Sequence, residues 1–178
     1  MTEIAHDVRR GEEVALKRVP MCETDRETIQ GAIAMMRARD ADQFLEALEG
    51  WRFPSANVVF GDTKGNIGYT TVGAIPVRSR WAIDEGRATH DGTESKYDWQ
   101  GILPHHLHPH AINPKCGYFG SANHRPIESF YPIPIGISTG SGGDTVRSWR
   151  LRERLEEKDI FTPEEVLDIH YDCVHAAK

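Results

Sequence analysis

Apolar residues recur at helical spacing twice in the first third of the chain. Ile29, Ile33 and Met36 fall at i, i+4 and i+7, one stripe of a helix. Phe44, Leu45 and Leu48 form a second stripe, and Gly50 marks its end. Thr24-Asp25-Arg26-Glu27 has capping-box form ahead of the first run, and Asp40-Ala41-Asp42-Gln43 reads as a cap ahead of the second. Two consecutive helices over 24–50 are therefore predicted. The pattern then changes to β-branched and aromatic runs, Val58 to Phe60 and Ile67 to Val72, separated by Asp62-Thr63-Lys64-Gly65-Asn66. Gly and Asn tolerate positive φ and Asp bonds its own backbone, so Asn57 to Pro76 reads as a β-hairpin. It reads as a scaffold holding no catalytic atom.

The remaining elements are shorter. Ile4 to Val19 predicts a strand pair turning at Arg9 to Glu13. Arg78 to Gly101 is polar and turn-rich, and Leu103 to Pro114 is a second irregular segment. Gly117-Tyr118-Phe119-Gly120 predicts a short strand that delivers Ser121-Ala122-Asn123. Asp144 is expected to cap a helix running to about Glu157. Thr162 caps the last helix, with Pro163 first inside it and Glu165 as reciprocal partner, and helical residues run on to the end without a stop signal. No linker or repeat divides the chain, so 1–178 reads as one α+β unit: a helical segment 24–50, a segment 57–126 with hairpin, loops and an Asn-bearing strand, and helices over 144–178. Its C-terminus looks cut, so the chain reads as a partial domain.

Composition narrows the function classes. With 39% apolar and 27% charged residues the 178-residue chain is globular, and a net charge of -6 argues against a nucleic-acid partner. Arg147, Arg150, Arg152 and Arg154 cluster, but Glu153, Glu156 and Glu157 interleave, as on a solvated helix face. No apolar run approaches the roughly 20 residues of a membrane helix. The polar start, Met1 to Asp7, reads as lacking a signal peptide, and localisation stays unassigned. Cys22, Cys116 and Cys173 are widely spaced, which suggests neither a disulfide framework nor a zinc site.

Several motifs invite chemistry. His105-His106-x-His108-x-His110 has metal-ligand residue types, but Pro104 and Pro109 interrupt it and solvated loop histidines are the expectation. Gly140 to Asp144 lacks the Lys-Ser/Thr of a phosphate loop. No Gly-x-Ser-x-Gly elbow is present. Removal of Met1 would expose Thr2, but Glu3, His6 and Asp7 make a poor buried strand for an N-terminal nucleophile. Asn123 reads either as a turn asparagine or as an amide donor to a developing oxyanion.

Five motifs in order carry a resemblance: Asn57-x-x-x-Gly61-Asp62-x-x-Gly65-Asn66-Ile67-Gly68-Tyr69; Gly73-x-Ile75-Pro76-x-Arg78; Trp99-x-Gly101-x-Leu103-Pro104; Asn113-Pro114-x-x-Gly117-Tyr118; and Ala122-Asn123. Together they resemble an interior part of the β-chain of the penicillin acylase family, N-terminal-nucleophile amidohydrolases. The resemblance implies an incomplete part of a four-layer αββα sandwich. It implies that an N-terminal Ser, outside this chain, attacks linear amides with its own α-amine as base. The acyl group would come from a β-lactam nucleus, an acyl-homoserine lactone or a related amine. The missing α-chain and the rest of the β-chain would be partners. It further implies that Asn123 donates to the oxyanion and that Arg147, following Gly142-Gly143, orders the site.

No cofactor is required by the resemblance. Calcium binds in some members, but Glu85 to Gly92 lacks the prolines of the segment that supplies one contact. His124 stands where a second Asn is common, and family members are often periplasmic. The alternative is a free-standing, non-catalytic module that binds a partner through Arg78 to Gly101.

Overall fold

The structure is a computed structural model that describes residues 2–7, 12–19, 25–82, 88–125, 127, 131–135 and 144–174. In chain order the elements are β1 (Thr2–Asp7), β2 (Glu12–Lys17), α1 (Asp25–Arg37), α2 (Ala41–Ala47), β3 (Ala56–Gly61), β4 (Ile67–Val72), β5 (Pro76–Val77), β6 (Gly101–Ile102), β7 (His110–Ile112), α3 (Val146–Leu155) and α4 (Pro163–His170). The two predicted helices and the hairpin are present, and α+β content follows.

The hairpin turn forms by the predicted chemistry. The Asp62 carboxylate accepts from the backbone N–H groups of Lys64 (2.9 Å) and Asn66 (2.9 Å) and from Asn66 Nδ2 (2.8 Å). These bonds, led by the Asn66 side chain, hold its pKa below the usual carboxylate range. Asp40 caps α2 by accepting from the Gln43 N–H at 3.1 Å, and Lys64 reaches it at 3.1 Å, tying the turn to the helix. Phe44 of α2 then packs on Phe60 of β3, ring centroids 4.6 Å apart.

β4 is the centre of the fold. It pairs antiparallel with β3 on one side and β7 on the other, and five of its six residues are buried. Thr70 is fully enclosed, and Leu48 of the helical layer is only 1% exposed. β5 and β6 pair antiparallel, so the excursion from Arg78 to Gln100 leaves and returns on adjacent strands. The turn-rich reading of that segment holds at its described ends; residues 83–87 lie outside the described residues.

Four expectations are corrected. Gly117 to Gly120 is not a strand; the third strand of the sheet is β7, in the segment read as irregular. Pro109 hides it from pattern reading, yet the Pro109 carbonyl accepts from the Thr71 N–H at 3.1 Å and starts the ladder. Thr145, not Asp144, caps α3. α4 stops at His170 rather than running on, because Asp172 is drawn to Arg150 Nη2 at 2.7 Å and Nε at 3.0 Å. The capping box of α4 over Thr162 and Glu165 forms as read. Thr24 of the first predicted box lies outside the described residues.

The histidines divide. His106 and His110 are exposed as expected, but His108 is buried, its ring nitrogens facing the Thr71 carbonyl (3.1 Å) and the Leu103 carbonyl (3.3 Å). Burial, with the neighbouring His108, pushes the half-buried His105 down to about 4. Its neutral form is favoured in the fold, while the unfolded chain takes a proton from about pH 6.5 downward. Stability present above pH 6.5 is therefore lost as pH falls towards 4. Denaturant midpoints measured from pH 7.5 to 4 should decline over that window, and His105→Gln should flatten the decline.

Candidate active site

Asn123 lies in the irregular segment that follows Phe119. Three neighbours, one on β3 and two at the start of α3, hold the three residues Ser121, Ala122 and Asn123. Asn57 Nδ2, on β3, donates to Ser121 Oγ at 3.0 Å. Thr145 Oγ donates to the Ala122 carbonyl at 3.1 Å while accepting the Ser148 N–H at 3.1 Å, so the cap of α3 also grips the loop. Arg147, the second residue of α3, donates from Nη2 to Asn123 Oδ1 at 2.5 Å. Asn123 itself adopts φ 57°, a left-handed conformation that asparagine tolerates better than most residues.

Packing explains why α3 can approach. Gly120 has no side chain, and a Cβ there would lie 2.8 Å from Leu151 Cδ2. Phe119 stacks on the buried Tyr69 with ring centroids 5.8 Å apart. The segment thus docks on the sheet through an aromatic contact and on α3 through a bare glycine, without any strand ladder.

The four arginines of α3 are sorted by their partners. Arg152 forks onto Asp144 (2.9 and 3.1 Å), which lowers the Asp144 pKa, that bond being its largest cause. Arg150 and Arg154 converge on Asp172, whose pKa is lowered chiefly by Arg150. Among the described residues Arg147 alone of the four has no carboxylate partner, and it turns to Asn123. The reading of a solvated helix face agrees with the exposed Arg147 and Arg152, while Arg150 and Arg154 are half-buried against Asp172.

The chemical consequence follows from donor counting. A guanidinium only donates, so Arg147 requires Asn123 to present Oδ1 to it. The Nδ2 amide then points elsewhere, and among the described residues nothing accepts from it. A charged donor pins a neutral donor in one orientation. Among the described residues, two clefts that flank the segment share Ser121. One, about 550 Å³, is lined by Tyr69, His110, Phe119, His124 and Tyr131. The other, about 500 Å³, runs between Arg147, Arg150, Asp172 and Val174.

The structure brings Asn123 and Arg147 together, although 24 positions separate them in the chain. Asn57 and Thr145 were missed as contributors to the site. Asn57 opens the first motif of the series and was read as scaffold, and Thr145 stood one place beyond the predicted cap. Gly142 and Gly143 lie outside the described residues, as do 83–87 of the calcium-related segment. Among the described residues no group of three or more His, Cys, Asp or Glu could hold a metal ion. Cys116 and Cys173 are exposed free thiols. No helix among the described residues is long and apolar enough to cross a membrane.

Comparison with known proteins adds independent evidence. A family model described as penicillin amidase matches residues 4–177. The chain is 28% identical over 171 residues to the penicillin acylase 2 proenzyme of Pseudomonas sp. (strain SE83), covering 96% of this chain and 21% of that protein. It is 31% identical over 129 residues to the acyl-homoserine lactone acylase QuiP of Pseudomonas aeruginosa, covering 72% of this chain and 14% of that one. The structure superposes on a thermostable penicillin G acylase from Alcaligenes faecalis with a TM-score of 0.67 at 21% identity, over 96% of this chain and 33% of that chain. The chain spans about a fifth or less of the length of these curated relatives.

Proposed function

Because the chain belongs to the penicillin amidase family, we propose that the complete protein hydrolyses linear amides, with Asn123 as an oxyanion donor and Arg147 as its positioning residue. The acyl group would be taken from a β-lactam nucleus, an acyl-homoserine lactone or a related amine, in line with the names of the relatives. The observation that carries this reading is the Arg147–Asn123 contact, which fixes the direction of Asn123 Nδ2, a donor that meets no acceptor among the described residues.

In the proposed reaction a Ser hydroxyl from outside residues 1–178 attacks the amide carbon. A C–O bond forms as the Ser proton passes to its own α-amine, and the carbonyl oxygen gains negative charge. Asn123 Nδ2 donates to that oxygen, together with a backbone N–H from outside this chain. Collapse of the adduct breaks the C–N bond and expels the amine, which takes the proton held by the α-amine, and water then cleaves the acyl ester to release the acid and restore the Ser hydroxyl. A donor aimed before the charge develops costs no reorganisation when it does.

The test is turnover of a chromogenic acyl-anilide, penicillin G and an acyl-homoserine lactone by the complete protein. Release of amine is expected there, and none from residues 1–178 alone, since a donor without a nucleophile has nothing to stabilise. Arg147→Leu should lower kcat about tenfold, since the freed amide presents oxygen as readily as nitrogen. Its thermal midpoint should change little, because both partners are exposed. Inactivity of the complete protein on all three substrates would sink the acylase reading.

A further inference from the structure

We propose that Asn57 and Tyr69, on the hairpin, are positioning residues that set the location of Asn123 through Ser121. The proposal rests on the reading of Asn123 as an oxyanion donor, but its geometric half stands independently. Asn57 pairs with Thr71 across the β3–β4 ladder, which places Tyr69 diagonally opposite on the same face. From there the Tyr69 hydroxyl reaches Asn57 Oδ1 at 2.6 Å. Burial pushes the Tyr69 phenol well above its ordinary pKa, so it remains a donor at every working pH.

The donor direction then propagates. With Oδ1 taken by a phenol O–H, Asn57 must present Nδ2 to Ser121 Oγ, as observed at 3.0 Å. Asparagine is depleted in strands, and Asn57 lies on an exposed part of β3 where water could satisfy it. Yet both ends of its amide are taken by protein groups, and one of them is two residues from Asn123. Tyr69 holds the same loop a second time, through the Phe119 ring.

The loop is therefore anchored to the sheet by Tyr69 and Asn57, and to α3 by Thr145 and Arg147. Arg147 and Thr145 fix which way Asn123 faces relative to the helix. Among the described residues the Asn57 and Tyr69 anchors are the ones that fix the loop relative to the sheet. A donor displaced by about 1 Å loses about a hundredfold in rate, so the sheet anchor has kinetic weight.

The experiment uses Asn57→Leu, Asn57→Asp and Tyr69→Phe in the complete protein, read by steady-state kinetics per titrated active site and by hydrogen exchange over residues 119–125. Asn57→Leu should lower kcat about tenfold to a hundredfold with KM nearly unchanged. Asn57→Asp should stay within about threefold of the original, because a carboxylate still accepts from Tyr69 and the Ser121 hydroxyl rotates to donate to it. Exchange over 119–125 should quicken in Asn57→Leu and Tyr69→Phe, and not in Asn57→Asp. Unchanged kcat per active site in Asn57→Leu, whatever its thermal midpoint, would overturn the kinetic half. Unchanged exchange in that variant would overturn the positioning itself. If the unsubstituted protein turns over no amide, the acylase reading falls, and the exchange result alone decides whether Asn57 anchors the loop.

Discussion

Replacing Asn123 by alanine in the complete protein is expected to lower amide turnover by about a hundredfold to a thousandfold, the usual cost of one lost oxyanion donor. KM should move far less, because the donor acts on charge that develops only after attack. Folding should survive. Asn123 is exposed, and alanine adopts its φ of 57° at a cost of only about 1 kcal/mol. The loop retains its other grips, Asn57 on Ser121 and Thr145 on Ala122. The check is kcat per titrated active site beside a thermal unfolding curve. Turnover near that of the unsubstituted protein would remove Asn123 from the mechanism.

The largest structural effect is expected at Gly73, immediately after β4. Its φ of 109° lies where side chains are strained, and a Cβ there would sit 2.5 Å from Ser55 Oγ and 2.7 Å from Ser55 Cα. The hydroxyl could swing aside, but the Cα belongs to the backbone and could not. Gly73 and Ala74 also bond the carbonyls of Trp51 (3.3 Å) and Arg52 (2.8 Å), docking the strand end against the segment leaving α2. Strain and crowding together should make Gly73→Ala cost about 2–5 kcal/mol, read from the shift in denaturant midpoint. The sheet that presents Asn57 and Tyr69 would loosen with it. A shift below about 0.5 kcal/mol would show that the segment from Trp51 to Ser55 relaxes freely.

These two residues illustrate how differently the fold and the site are written in the chain. Periodicity and turn chemistry located α1, α2, the β3–β4 hairpin and α4 because those elements form from contacts a few residues apart. Asp62 bonding Asn66, Asp40 bonding Gln43 and Thr162 bonding Glu165 are all local events, legible from spacing. β7 escaped because a three-residue edge strand is defined by its partner, and Pro109 disguised it. Phe119 and Gly120 imitated a strand because they pack like one, against Tyr69 and Leu151, without forming a ladder.

The sequence by itself indicated a mixed α and β chain that resembles the penicillin acylase family, and that resemblance pointed to Asn123 and Arg147. Only the tertiary structure decided that the two side chains touch, and that Oδ1 rather than Nδ2 faces the guanidinium. It also decided that Arg150, Arg152 and Arg154 are held by Asp172 and Asp144 while Arg147 is left for the asparagine. The reason is physical. Elements follow from interactions between near neighbours, which a pattern records. A donor's direction is set by whichever groups arrive from distant parts of the chain, here β3 at Asn57 and α3 at Thr145 and Arg147.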